Sequence, residues 1–384
     1  MVLAGEKDFY LAEFRQRTLV LAIERTALQR VAARRRFAAV TRELVENRTR
    51  VVVVLGGDAG DPADARSWMQ LPEKARARRS PLGGRGPRQD AVGWDSAAEE
   101  PGLSRVWQVL RGRDLCLVVT PGQARGVAGL VARGLRALKL VLLDEQGGLR
   151  EAPSASPLSY LDGSRLEVLL KAGEAEFQGL GARRGDLEVI GQMLDAGVGS
   201  VNLCKPGDLA QELFSYQGAG TFFSRDDHLA IGRLSIDDFS EVERLLARGQ
   251  AEGLLKPRTA TEAGELLLDG YGAWIGEHHL AGVGALRRGL YAPEQAAEIA
   301  GLYAITRFKG EGIGKKLVRR MIQDARDDQL QFVFSVTSAE RAASFFCKEG
   351  FLEVAPESLP AAKWHGYPPE RRQRIRAFRM ALSG

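Results

Sequence analysis

A chain of 384 residues, 45% hydrophobic and 27% charged, has the composition of a soluble globular protein and enough length for two domains with separate cores. Its net charge of +5 is spread along the sequence, and the basic runs lack the interleaved aromatics of a nucleic-acid surface. No apolar run reaches membrane-spanning length, Glu6, Lys7 and Asp8 stand where a signal peptide has its apolar segment, and the four histidines show no metal-ligand spacing. These features together point to a cytoplasmic chain with no metal site, and Cys116, Cys204 and Cys347, each in an apolar stretch, read as reduced and buried thiols.

In chain order, residues 18–23, 27–46 and 51–55 read as strand, helix and strand, the last ending on Gly56-Gly57. Residues 58–105 are rich in Gly, Pro, Arg and Ala with little apolar periodicity, which predicts a mobile insertion. Order resumes as strand 115–120, helix 123–137, strand 138–144, helix 166–172, helix 185–196, strand 198–204 and helix 208–214. Strands alternating with helices predict a mostly parallel α/β sheet. Residues 224–228 form a polar crossing, so the expected domains are 1–225 and 226–384. Beyond the boundary come a helix opening near Ile236, an antiparallel pair 267–276 and 279–286, strand 332–335, helix 341–349 and strands 351–354 and 377–382.

The stretch between those elements carries the chemistry. An apolar strand from Glu298 turns through Arg307-Phe-Lys-Gly310-Glu-Gly312-Ile-Gly314 into a helix, 315–324, with Leu317, Val318, Met321 and Ile322 at helical spacing. Glycines let backbone approach a ligand, and free amides at a helix start favour an anion, so this is a phosphate-holding device. It is neither a P-loop nor a dinucleotide fingerprint, because the glycine spacing fits neither. Arg-x-x-Gly-x-Gly after an apolar strand resembles the acyl-CoA pyrophosphate loop of the GNAT acetyltransferases.

Five further stretches extend the resemblance: Asp208-Leu-Ala-Gln-Glu-Leu-Phe-Ser-Tyr-Gln-Gly-Ala-Gly-Thr221, Gly253-Leu-Leu-Lys-Pro-Arg-Thr259, Glu298-Ile-Ala-Gly-Leu-Tyr-Ala304, Gln331-Phe-Val-Phe-Ser335 and Phe345-Phe-Cys-Lys-Glu-Gly-Phe351, the last leading into Leu359-Pro-Ala-Ala-Lys-Trp364. In this order they resemble the bacterial N-acetylglutamate synthases, in which an amino-acid-kinase-like α/β sandwich is fused to a mixed-sheet GNAT domain. The likeness is loose over residues 115–205 and poor before 110. The kinases' Lys-x-Gly-Gly loop is replaced by Glu24-Arg25-Thr26-Ala27, and Gly56-Gly57 is followed by Asp58, which would repel a phosphate. Phosphoryl transfer is almost all positioning and charge neutralisation, so the first half is expected to be inactive as a kinase.

The resemblance implies acetyl transfer from acetyl-CoA to the α-amine of L-glutamate, feeding arginine biosynthesis, with L-arginine as effector and a homo-oligomeric assembly. It places the base at Glu298, at the start of an apolar strand, and the general acid at Ser335. It places acetyl-CoA against Leu302, Tyr303, Ala304 and Ile305 and around Lys309, Gly310, Glu311, Gly312, Ile313, Gly314 and Lys315. Arg258 and Arg374 would hold the substrate carboxylates, since a guanidinium fork suits that group. Glu212 with Gln217, Gly218 and Gly220 would hold arginine. Two other readings of the same residues are a GNAT enzyme acting on another amino acid or a protein lysine, and a non-catalytic sensor of arginine and acetyl-CoA.

Overall fold

In the computed structural model the chain divides into two units, Met1–Asp226 and Asp227–Gly384. The described residues are 6–57, 61–72, 91–94, 99–151, 157–172, 180–215, 217–224, 229–256, 259–275, 279–305, 312–365, 367, 372 and 374–382. The first unit is an α/β sandwich with a mostly parallel sheet, and the second is an α+β domain with a mixed sheet.

The strands of the first unit are β1 (Thr18–Glu24), β2 (Arg50–Gly56), β3 (Ala91–Gly93), β4 (Leu115–Val119), β5 (Lys139–Leu143), β6 (Tyr160–Asp162), β7 (Ser200–Cys204) and β8 (Thr221–Ser224). They lie in the order β3-β4-β2-β1-β5-β7-β8-β6, parallel throughout except β7 against β8. The helices are α1 (Glu6–Phe14), α2 (Val31–Glu46), α3 (Pro62–Met69), α4 (Glu99–Gly112), α5 (Ala124–Gly134), α6 (Gly163–Ala172), α7 (Leu180–Asp195) and α8 (Leu209–Phe214).

Strand side chains point alternately to opposite faces, and here both faces are covered. Val20, Val52, Val54, Val118 and Leu140 join the core under α4, α5, α6 and α7. Their neighbours Leu19, Leu21, Val53, Leu117 and Val141 join the core under α2, α3 and α8. Each such aliphatic side chain stabilises the fold by roughly 1.5–3 kcal/mol on burial. This explains why the strands read as unbroken apolar runs instead of alternating ones.

The expected insertion at 58–105 is in part ordered structure. Asp61 caps α3, its carboxylate accepting from the Ala63 amide at 2.8 Å with Pro62 in the first turn. β3 adds an edge strand to β4, and Val92 and Trp94 are buried against α4. Ala65, Met69, Leu71, Val92 and Trp94 are buried, which a periodicity argument over a Gly- and Arg-rich window misses. Residues 58–60, 73–90 and 95–98 of that stretch lie outside the described residues. The helix expected over 27–46 is broken: Arg25–Leu28 is one turn of 3-10 helix and α2 starts at Val31. Strands β6 and β8, three and four residues long, were not foreseen, being too short to show a period.

The second unit contains β9 (Leu229–Arg233), α9 (Phe239–Ala251), α10 (Ala260–Leu268), β10 (Gly270–Ile275), β11 (His279–Arg287), β12 (Ala296–Ala304), α11 (Ile313–Asp327), β13 (Phe332–Thr337), α12 (Glu340–Lys348), β14 (Leu352–Val354) and β15 (Arg376–Ala381). Its sheet runs β14-β15-β13-β12-β11-β10-β9, antiparallel except β12 with β13. The apolar stripe of α11 (Ile313, Leu317, Val318, Met321, Ile322, Ala325) is buried. Two expectations fail here. Residues 267–268 end helix α10, which Thr259 opens through a reciprocal capping box with Glu262. Cys347 is exposed, whereas Cys116 and Cys204 are buried as expected and all three thiols are free.

Candidate active site

The two parallel strands of the second unit separate partway along. β12 and β13 pair at Ala296↔Phe332, Ala297↔Val333 and Glu298↔Phe334. The Ser335 hydroxyl then donates to the Ile299 carbonyl at 2.9 Å. Past that point β13 stays with β15 through Thr337↔Arg376, and β12 stays with β11 through Ala304↔Gly282. Residues 300–304 therefore have no pairing with β13 and open a cleft between the strands. A bulge coincides with the opening: Gly301 and Leu302 together oppose Gly284 of β11. Gly301 has φ +63°, a left-handed conformation that glycine adopts without strain. An unpaired strand edge offers amides and carbonyls to an extended ligand arm.

Glu298 sits at the apex of this cleft and is buried. Its Oε2 accepts from the Tyr291 hydroxyl at 2.8 Å, and its Oε1 is paired with the Lys363 ammonium. Both partners come from single turns of 3-10 helix, Gly289–Glu294 and Ala361–Trp364. Burial, and then the adjoining Glu298 carboxylate, hold the Tyr291 hydroxyl well above the usual phenol range, so it stays a donor. Ser335 is buried at the same apex. A carbonyl can only accept, so the Ser335 proton is committed to Ile299.

The helix that leaves the glycine turn is α11, preceded by Gly312 in the left-handed conformation at φ +71°. Among the described residues no side chain caps its start, so the amides of Ile313, Gly314 and Lys315 lie at an uncapped positive helix end. That end fits an anionic phosphate group. Arg307, Lys309, Gly310 and Glu311 of the same motif lie outside the described residues, as does Arg258. Of the strand positions, Tyr303 turns away from the cleft: its hydroxyl donates to Glu252 at 3.2 Å and is itself held high by burial and that carboxylate. Leu302 and Ala304 are half-buried, and Ile305 is buried with its amide on the Ala281 carbonyl at 2.8 Å. Arg374 is exposed, two residues ahead of β15, whose first residue faces Thr337.

In the first unit Glu212 is a buried carboxylate, not a surface one. It accepts from the Ala219 and Gly220 amides at 2.7 and 2.8 Å and from the Asn202 side chain. Gln211 donates to the Gly218 carbonyl at 3.0 Å, and Gln217 is exposed. Glu212 and the 217–220 loop, grouped in the sequence, are thus in contact, with the carboxylate holding the loop's amides. At the strand ends of this unit, Glu24 Oε1 accepts from the Ala124 amide at 2.7 Å, at the start of α5. Gly56 is forced there, because a Cβ would sit 2.4 Å from both Ala124 N and Glu24 Oε2. Among the described residues no cluster of His, Cys, Asp or Glu could hold a metal.

Sequence reasoning left two of these residues unassigned. Lys363 lies within the matched stretch ending in Trp364, but a lone lysine in a polar segment does not announce a buried partner. Tyr291 precedes Glu298 by a turn that carries no strand or helix period, and nothing in the sequence singles it out.

The class of the second unit follows from this cleft and from the match of residues 239–351 to the acetyltransferase (GNAT) family. That stretch, which holds the cleft, is similar to the GNAT acetyltransferases. Further along the chain the likeness becomes more particular. An amino-acid acetyltransferase of Pseudomonas putida (strain GB-1) is 29% identical over 182 residues, 47% of this chain and 40% of that protein. An amino-acid acetyltransferase of Ralstonia nicotianae is 26% identical over 256 residues, 65% of this chain and 54% of that protein. The chain thus spans about half the length of these curated relatives or less. The crystal structure of N-acetylglutamate synthase from Neisseria gonorrhoeae complexed with coenzyme A and L-arginine superposes with TM-score 0.61, covering 99% of this chain and 98% of that one at 18% identity. At that identity it establishes the two-unit fold alone. Among the described residues no helix is long and apolar enough to cross a membrane.

Proposed function

We propose that this chain is an acetyl-CoA:L-glutamate N-acetyltransferase that makes N-acetylglutamate for arginine biosynthesis. The observation that carries the reading is a buried carboxylate, Glu298, at the apex of a strand cleft in a GNAT domain whose curated relatives are amino-acid acetyltransferases. The α-amine of glutamate arrives protonated and must lose a proton before it can attack the thioester carbonyl. Glu298 takes that proton. The new C–N bond forms, the C–S bond breaks, and the departing thiolate takes up a proton. A backbone amide of the bulged segment at Leu302–Ala304 serves the developing oxyanion, a role in which one donor contributes roughly 10²–10³-fold. The α11 start, with Gly312, Gly314 and Lys315, holds the pyrophosphate of the acetyl donor. Ser335 reaches the leaving thiolate only by giving up its bond to Ile299, and its share of the rate is accordingly modest.

Arg258 and Arg374 hold the two carboxylates of the acceptor, Arg374 being exposed near the open end of the strand pair. The kinase-like unit performs no phosphoryl transfer and binds L-arginine at the loop that Glu212 organises. An assembly of several copies and a cytoplasmic location accompany this reading.

The acceptor assignment is tested by steady-state kinetics on an amino-acid panel, with products identified by mass spectrometry. N-acetylglutamate should be the dominant product, and Arg258→Ala should raise KM for glutamate at least ten-fold with KM for acetyl-CoA little changed. Equal turnover of glutamine or of a peptide lysine would move the assignment to another acceptor.

A further inference from the structure

Resting on the base assignment just made, we propose that Lys363 and Tyr291 are positioning residues that clamp Glu298, one donor on each carboxylate oxygen. The clamp delivers the base to the cleft in a single orientation. Lys363 takes Oε1 and Tyr291 takes Oε2. Each carboxylate oxygen keeps a second lone pair, so the group stays able to accept a proton while its rotation is blocked.

Three observations favour a role beyond simple packing. The pair lies at the last β12–β13 partner, Glu298↔Phe334, where the two strands begin to part. Both side chains of the ion pair are buried, with 12% and 5% of their surface exposed for Lys363 and Glu298. A buried ion pair adds little stability over apolar residues of equal volume, so stability alone gives it no reason to be there. The supports of the clamp are themselves fixed. The Tyr291 ring stands edge-on to Phe334, the cross-strand partner of Glu298, at 4.9 Å. The Lys363 turn is pinned by the Trp364 indole, which donates to the Pro356 carbonyl at 3.1 Å and stacks under Arg372.

The test is a double-mutant cycle on the full chain, using the acceptor that the wild type turns over best and reading kcat and KM separately. Lys363→Met should lower kcat ten- to hundred-fold with both KM values within about two-fold. Lys363→Arg should recover part of the loss, and Tyr291→Phe should cost three- to ten-fold. In an E298Q background, K363M should add almost nothing, because a positioning residue has no effect once its target is disabled. Coenzyme A binding by calorimetry shows whether each variant is folded. K363M and E298Q losses that multiply would overturn the clamp and leave the base in place. A rise in KM for the acceptor at unchanged kcat would make Lys363 a substrate contact and overturn it too. An E298Q enzyme at the wild-type rate would remove the base assignment and this inference with it.

Discussion

Each unit of the molecule brings a strand-end glycine turn against the start of a helix, and the two have opposite fates. In the first unit the start of α5 is plugged from within: Glu24 accepts from the Ala124 amide and packs against Gly56. In the GNAT unit the start of α11 follows a left-handed Gly312 and no side chain among the described residues caps it. The same backbone geometry therefore meets an internal carboxylate in one place and, among the described residues, no cap in the other. The contrast also locates chemistry. A helix end satisfied by the protein's own carboxylate has no place for a phosphate, whereas on the function proposed above the α11 start and the Glu298 carboxylate serve the transfer.

The contrast can be broken most severely at Glu298. Glu298→Gln keeps size and one of the two acceptor oxygens but cannot take a proton, so kcat should fall by roughly 10²–10⁴ with coenzyme A affinity retained. Stopped-time thiol release on the variant checks this, and a loss below five-fold would leave the GNAT unit without its base. Next in size is Glu212→Ala, which removes the acceptor of two part-buried amides and of the buried Asn202 side chain. It should cost about 2–4 kcal/mol of stability in the first unit, read by urea unfolding, and abolish any heat of arginine binding. An arginine isotherm unchanged in this variant would place the effector elsewhere.

Glu24→Ala removes the plug. The first unit should lose about 1–2 kcal/mol. Millimolar inorganic phosphate should then raise the Tm of the variant and not that of the wild type, because the vacated helix end accepts an anion. Phosphate acting equally on both proteins would mean that the plug was never the obstacle. The smallest effect concerns Asp324 of α11. Burial would push its carboxyl up, but the Tyr271 hydroxyl, Arg320 and Arg288 outweigh this and hold it below the usual carboxylate range. A depressed folded-state pKa contributes stability at neutral pH that is lost as pH falls through it, below about pH 4. Asp324→Asn should thus melt earlier than wild type at pH 7 and show a smaller drop in Tm between pH 5 and pH 3.

Much of this was legible in the residues. Unbroken runs such as Val51 to Leu55 declare strands buried on both faces, and the apolar stripe of α11 declares a helix with one buried face. Glycines before a cationic helix start pointed to an anion site, and the structure places the start of α11 directly after a left-handed Gly312. Other features depend on partners distant in sequence, and these stayed hidden. Val92 and Trp94 become core only because β3 adds to β4 and α4 covers them, and their Gly- and Arg-rich surroundings concealed it. Glu24 shows as a missing lysine, yet its use as a helix plug depends on Ala124, a hundred residues away. Lys363 is a surface residue by type and a buried one by position, 65 residues from the carboxylate that explains it.

The most direct test of the account is coenzyme A release from acetyl-CoA by the purified full chain, with and without L-glutamate and with L-arginine titrated in. The account predicts release that requires glutamate and a rate that changes as arginine saturates, the second effect vanishing in Glu212→Ala. Release that ignores glutamate, or no release with any amino acid, would contradict it.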